Sequence, residues 1–301
     1  MVAIVDTARP LARAETSRAG PSNVGGGAGA PGRSASALRQ RVASALVLAP
    51  LGLAAAWFGP PLLSLVVVIA AGLMAWEWGR LCRIGRSGGA LIITAIVAVV
   101  VASVIAATFA LPRPALAITV VGSAVVGVLS RGSFQALLVG CGMLWIALPS
   151  VALIWLALDP RAGWATTLWI LAVVWATDIG AFAAGRTFGG PRLAPRFSPN
   201  KTWSGLLGGV VCAALAGGAT GLLVASAYVV PLMLLSGALA IVAQTGDLAE
   251  SIAKRHFGVK DSSGLIPGHG GLLDRLDGML TVIPAVALLT LFGGGSVLTW
   301  R

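Results

Sequence analysis

The chain is 301 residues long, 57% hydrophobic and only 10% charged, with a mean hydropathy of +0.92. These values exclude an ordinary soluble domain and indicate a chain that crosses a bilayer several times. The net charge of +11 is built on arginines set between long apolar runs, a pattern that anchors loops on one membrane face and argues against nucleic acid as a partner.

Residues 1–37 are rich in Gly, Ala, Pro, Ser and Arg and hold no apolar run long enough for a signal-peptide core. Such a segment buries too little apolar surface to offset chain entropy, so a disordered cytoplasmic tail is expected. Residues 38–301 then form one integral-membrane domain, with N-terminal helices to about 160 and chemistry-bearing helices and loops over 165–301. Apolar segments follow at roughly 42–58, 62–79, 90–110, 115–129, 134–158, 165–185, 206–229, 231–246 and 279–299. Several fall short of the ~20 residues that cross a bilayer core, so the expectation is an all-α polytopic protein of about nine transmembrane helices. Gly59-Pro60-Pro61, Pro112-Arg113-Pro114, Asp159-Pro160 and Pro231 punctuate the runs. Cys82, Cys141 and Cys212 form no CxxC pair and read as packing residues.

Nine helices starting from a cytoplasmic N-terminus sort the charge. Six arginines up to Arg41 fall inside, as do Arg80, Arg83, Arg86, Arg131, Arg186, Arg192, Arg196, Lys201, Lys254, Arg255, Lys260 and Arg275. Only Arg113, Arg161 and Arg301 fall outside, an asymmetry that a miscounted helix would scramble.

Six of the ten acidic residues, all three lysines and both histidines lie between 178 and 277, which concentrates the chemistry on cytoplasmic ends and loops. Asp178, within the sixth helix, is costly unless it meets a wet cavity or a base such as Arg186. In SPNKTWSG, Ser198 and Thr202 are candidate caps of the seventh helix, and Lys201 is a candidate contact to phosphate or carboxylate, with interfacial snorkelling as the alternative. Asp247 ends an uncharged stretch from Gly205 to Gly246; Glu250, Ser251 and Lys254 continue its helical face. Asp274 and Asp277, three apart, share a face at the start of the last helix. They suit either a helix dipole or, with Asp247, a hard cation bridged to substrate phosphates. Between these acids, Gly264, Gly268, Gly270 and Gly271 let backbone N–H groups approach an anion, while Lys254, Arg255, Lys260 and Arg275 supply charge. His269, between glycines, reads as a substrate contact, and His256, beside Phe257, as interfacial. Glu77, between Trp76 and Trp78, reads as structural, its tryptophans fitting an interfacial belt.

Ser251, Lys254-Arg255, Lys260-Asp261, Ser263, Ile266-Pro267, His269-Gly270-Gly271 and Asp274-Arg275-Leu276-Asp277 together resemble the signature of phosphatidate cytidylyltransferases, or CDP-diacylglycerol synthases. TDIGAFAAGR, SPNKTWSG, GDLAESIAKR and LRQRVASALVLAP look like the same family, so the resemblance covers nearly all but the tail. Ala253 and Asn200 depart from it, standing where the family has a larger apolar residue and a lysine. The resemblance implies transfer of CMP from CTP to phosphatidic acid at a bacterial-type inner membrane, with the site facing the cytoplasm and open to membrane lipids. It implies Mg²⁺ on Asp247, Asp274 and Asp277, a second cation, and homodimers. Lys201, Lys254, His269 and Arg275 would join the three aspartates as catalytic residues. Ser198, Thr202, Ser251, Arg255, Lys260, Asp261, Gly270 and Gly271 would bind substrate. A CTP-dependent polyprenol or phytol kinase, which would release CDP, is the alternative enzyme. An ion-coupled transporter is disfavoured because the 247–277 pattern has no repeat in the first half.

Overall fold

The computed structural model describes residues 31–82, 89–130, 133–224, 228–266, 268 and 270–300. Among them are nine α-helices: α1 (Pro31–Phe58), α2 (Leu62–Leu81), α3 (Gly89–Thr108), α4 (Pro112–Leu129), α5 (Ser133–Ala157), α6 (Gly163–Phe188), α7 (Trp203–Leu223), α8 (Val229–His256) and α9 (Leu273–Phe292). Strands β1 (Arg192–Ala194) and β2 (Ser198–Thr202) form an antiparallel hairpin between α6 and α7. Helices α2 to α9 are long and apolar enough to cross a membrane, and α1 carries a shorter apolar part, Leu46–Phe58.

The expected all-α membrane architecture is therefore present, and the differences lie at helix ends. Helix α8 runs ten residues past its apolar stretch to His256, and α9 starts at Leu273 and stops at Phe292 rather than spanning 279–299. Apolarity marks only what lies in lipid, whereas backbone hydrogen bonding carries a helix into polar surroundings. Gly294 and Gly295, both at positive φ, follow the end of α9. Helix α1 begins at Pro31, inside the stretch read as tail; residues 1–30 lie outside the described residues. The hairpin was not expected: Ser198 pairs with Ala194 across it instead of capping α7. Thr202 is the cap, its hydroxyl accepting from Gly205 N at 3.1 Å.

Between helices in lipid, association depends on close packing rather than on exclusion of water, so small residues occupy the tightest crossings. A Cβ on Gly180 of α6 would lie 2.6 Å from Gly208 O of α7, and one on Gly246 of α8 would lie 2.6 Å from Asp277 O of α9. The second crossing sets Asp247 against the first turns of α9. In the N-terminal half, Trp78 Nε1 donates to Leu138 O at 3.2 Å and Gln135 Nε2 donates to Cys82 O at 2.7 Å, fixing the end of α2 on α5.

The two ends of the bundle differ in chemistry. At one end the last turns of α2, α6 and α8 meet the hairpin and the start of α9. At the other, Trp57 stacks edge-on against Trp164 and Thr166 bonds Ser296 at 2.8 Å, joining the end of α1, the start of α6 and the segment after α9.

Candidate active site

The polar end is organised around carboxylates. The side chains of Asp247 and Glu250 on α8 and Asp277 on α9 each bring an oxygen within 4.8 Å of the others. Helical spacing places Asp247 and Glu250 on one face, and the Gly246 crossing brings Asp277 across from it. Lys201 Nζ lies 2.7 Å from Asp247 Oδ2 and 3.4 Å from Gln244 O, which ties the hairpin to α8. Ser251 Oγ reaches Asp247 Oδ1 at 3.5 Å. Lys201, Gln244 and Asp247 line a cavity of about 580 Å³ together with Asp178, Phe182, Arg186, Asn200 and Thr202. Asp178 thus lines a cavity, as its place in α6 demanded.

The carboxylate set differs from the expected one, because the oxygens of Asp274 are taken by the loop and by Lys254. Its Oδ2 accepts from Ser262 N and Gly271 N, each at 2.9 Å, and from Ser262 Oγ at 3.1 Å. Its Oδ1 takes Lys254 Nζ at 2.7 Å. Asp274 therefore ties the glycine loop to α8, and the third carboxylate beside Asp247 and Asp277 is Glu250. Glu250 is 1% exposed; its Oε2 pairs with Lys254 at 2.7 Å, while its Oε1 is buried with no hydrogen-bond partner. Its place at Asp247 plus three was the available signal, masked by the neighbouring Lys254, which reads as a simple helical ion pair.

The other expected residues divide. Arg255 donates to Phe197 O at 3.4 Å and Val259 O at 3.2 Å, bracing the hairpin and the α8 terminus. Lys260, Asp261 and Arg275 are exposed around the loop. Ile266 and Gly270 exchange backbone hydrogen bonds, and Gly268 and Gly270 both have positive φ, a conformation that excludes most other residues. His269 lies outside the described residues. His256 stacks against Phe257 and Phe134, with ring centroids 5.2 and 5.4 Å apart.

Glu77 is the residue that sequence reasoning underrated. It is 0% exposed, and its two oxygens accept from Leu272 N at 3.0 Å and Leu273 N at 2.8 Å, capping α9 from another helix. Trp78 beside it is buried, not interfacial. A Cβ on Gly271 would lie 2.7 Å from Glu77 Oε1, so this glycine is required by the close approach.

A hard cation fits the Asp247, Glu250 and Asp277 set: the donors are all oxygens, and Glu250 keeps one buried oxygen, Oε1, with no hydrogen-bond partner. With Lys201 and the glycine-rich loop alongside, the site suits binding and redistributing phosphate charge.

A model of the cytidylyltransferase family matches residues 39–292. A phosphatidate cytidylyltransferase of Brucella suis is 52% identical over 156 residues, which cover 50% of this chain and 55% of the relative. One from Pseudomonas aeruginosa is 36% identical over 269 residues, 84% of this chain and 96% of the relative. One from Rickettsia bellii is 38% identical over 164 residues, 52% of this chain and 69% of the relative. The Brucella match thus spans about half the length of that relative, whereas the Pseudomonas match is nearly end to end.

Proposed function

The chain belongs to the cytidylyltransferase family, and from that premise we propose that it transfers CMP from CTP to phosphatidic acid, forming CDP-diacylglycerol and pyrophosphate. The observation that carries this reading is the Asp247, Glu250 and Asp277 cluster, paired with Lys201 at a cavity at one end of a membrane bundle. A diacyl substrate keeps its chains in lipid while CTP arrives from water, so the reaction needs a site at such an end. On the charge distribution of the loops that end is the cytoplasmic one.

In the reaction an oxygen of the lipid phosphate attacks the α-phosphorus of CTP, the bond from that phosphorus to the bridging oxygen breaks, and pyrophosphate leaves with the bonding pair. A phosphate monoester is already anionic at neutral pH, so no general base is required. Two anions must meet, and positioning with electrostatic stabilisation supplies most of the catalysis. Mg²⁺ on Asp247, Glu250 and Asp277, when bound, would neutralise triphosphate charge and stabilise the departing pyrophosphate. Lys201, freed from Asp247 as substrate enters, clamps a phosphate. Lys254 stays between Glu250 and Asp274, holding the cluster to the loop. Exposed Arg275 and Lys260 attract the substrate's phosphate oxygens to the glycine loop.

The test is product analysis with purified protein, labelled CTP, phosphatidic acid and Mg²⁺. Lipid-linked CMP with stoichiometric pyrophosphate is expected; a lipid that gains a phosphoryl group and leaves CDP would point to a kinase and overturn the proposal.

A further inference from the structure

We propose that Glu77, far from the signature segment in sequence, is a positioning residue of this site, setting the glycine loop and the first turn of α9 so that Asp274 and Asp277 reach their partners. The inference rests on the nucleotidyl-transfer reading above.

Three donors converge on this one carboxylate. Oε1 accepts from Leu272 N and Ser263 Oγ, and Oε2 accepts from Leu273 N at 2.8 Å. Ser262 Oγ lies 3.4 Å from Oε2, with its one proton directed to the closer Asp274 Oδ2 at 3.1 Å. All of these groups come from residues 185 to 196 positions later in the chain. An ionised carboxylate, with acceptor sites only, satisfies such a set, and a carboxylate in a membrane helix persists only where it is paired in this way.

Leu272, the residue before α9, has no side-chain cap of its own. The N–H groups that begin a helix need acceptors, and a negative group there also meets the positive end of the dipole. Glu77 supplies both from α2. Asp274 completes the arrangement by reaching back to Gly271 N at 2.9 Å, as in a capping box.

The contacts continue to the carboxylate cluster. Ser262 lies between Glu77 and Asp274, Asp274 holds Lys254, and Lys254 holds Glu250. Asp277 lies one turn beyond Asp274 on the same helix, so the placement of that turn is also its own placement.

A role as a simple staple of the fold accounts for less. The end of α2 is already fixed on α5 through Trp78 and Gln135, with Gly142 beneath the Trp78 ring. The hydrogen bonds of Glu77 go to the loop and α9: Oε1 takes two donors there and Oε2 one.

Glu77→Gln tests this in the purified full-length protein, because the amide keeps one acceptor oxygen and in either orientation turns an NH₂ group towards a backbone donor. Three readouts are needed: steady-state kinetics, amide hydrogen exchange over 261–273 against α3 and α4, and thermal unfolding. Partners of this kind cost about 10- to 100-fold when removed. The expected result is a kcat lower by about that factor with the KM for CTP changed less than about threefold. Exchange over 261–273 rises about tenfold or more, with α3 and α4 unchanged. Ser263→Ala, which removes one donor of three, falls between wild type and Glu77→Gln, and decides the matter if the latter does not fold.

Activity within about twofold of wild type in both variants overturns the proposal. So does increased exchange spread evenly over the chain, which would mark a general staple. Absence of CMP transfer by the wild-type protein would overturn the proposed function instead, leaving the exchange comparison to judge Glu77 by itself.

Discussion

Asp274 and Asp277 stand almost one helical turn apart, yet their oxygens serve different partners. Asp274 holds Ser262, Gly271 and Lys254, while Asp277 faces Asp247 and Glu250. The two asparagine variants should therefore fail differently. Asp277→Asn should lower turnover on the order of 100-fold or more and raise the Mg²⁺ concentration needed for half activity. Asp274→Asn should lose a comparable factor with that concentration little changed, because what fails is the anchoring of the loop. Titration of activity against Mg²⁺ separates them, and identical metal profiles would argue against the division. Cys82 offers a simpler check at the same scale: burial pushes its thiol up to about 12, so almost no thiolate exists at neutral pH. It should resist alkylation in the folded protein and react once the bundle is unfolded.

Among the elements, the crossing of α8 and α9 decides whether a cation site exists. Gly246 precedes Asp247 directly, and any side chain there meets Asp277 O and Thr281. Gly246→Val should force the helices apart, destabilising the protein by about 1–3 kcal/mol as overpacking does and separating Asp247 from Asp277. A lowered melting temperature together with lost activity is the expected outcome, measured on detergent-purified protein. The hairpin matters in the same way: Lys201 reaches Asp247 because β2 leads straight into α7, where Thr202 caps the helix. Neither the crossing nor the hairpin is visible in hydropathy, since both depend on which backbone segments approach one another.

Among the described residues, the bundle gathers most of its charged groups at one end and leaves Arg113 at the start of α4 and Asp159 and Arg161 in the α5–α6 connection. Arg113→Ala and Arg161→Ala should change turnover by less than about twofold, being remote from the carboxylates. Orientation is open to labelling by an impermeant thiol reagent. Lys260→Cys should react only when the cytoplasmic face is accessible, and Arg161→Cys only from the opposite side. Labelling of both from one side would refute the alternating topology.

The helical membrane class, the approximate helix count and the concentration of chemistry between 178 and 277 were determined by the sequence alone. Each follows from a local property: a long apolar run must satisfy its backbone internally in lipid, and ionisable residues there are kept only for use. Lys201, Asp247, Asp277 and the glycine loop were legible for the same reason, as charges or glycines standing out against an apolar background. What the tertiary structure decided is which oxygens share a space. It placed Glu250 rather than Asp274 beside Asp247 and Asp277, and it carried Glu77 across the bundle to the start of α9. A contact between helices distant in sequence depends on crossing geometry, and a single chain of residues, read in order, does not contain that geometry in any local pattern.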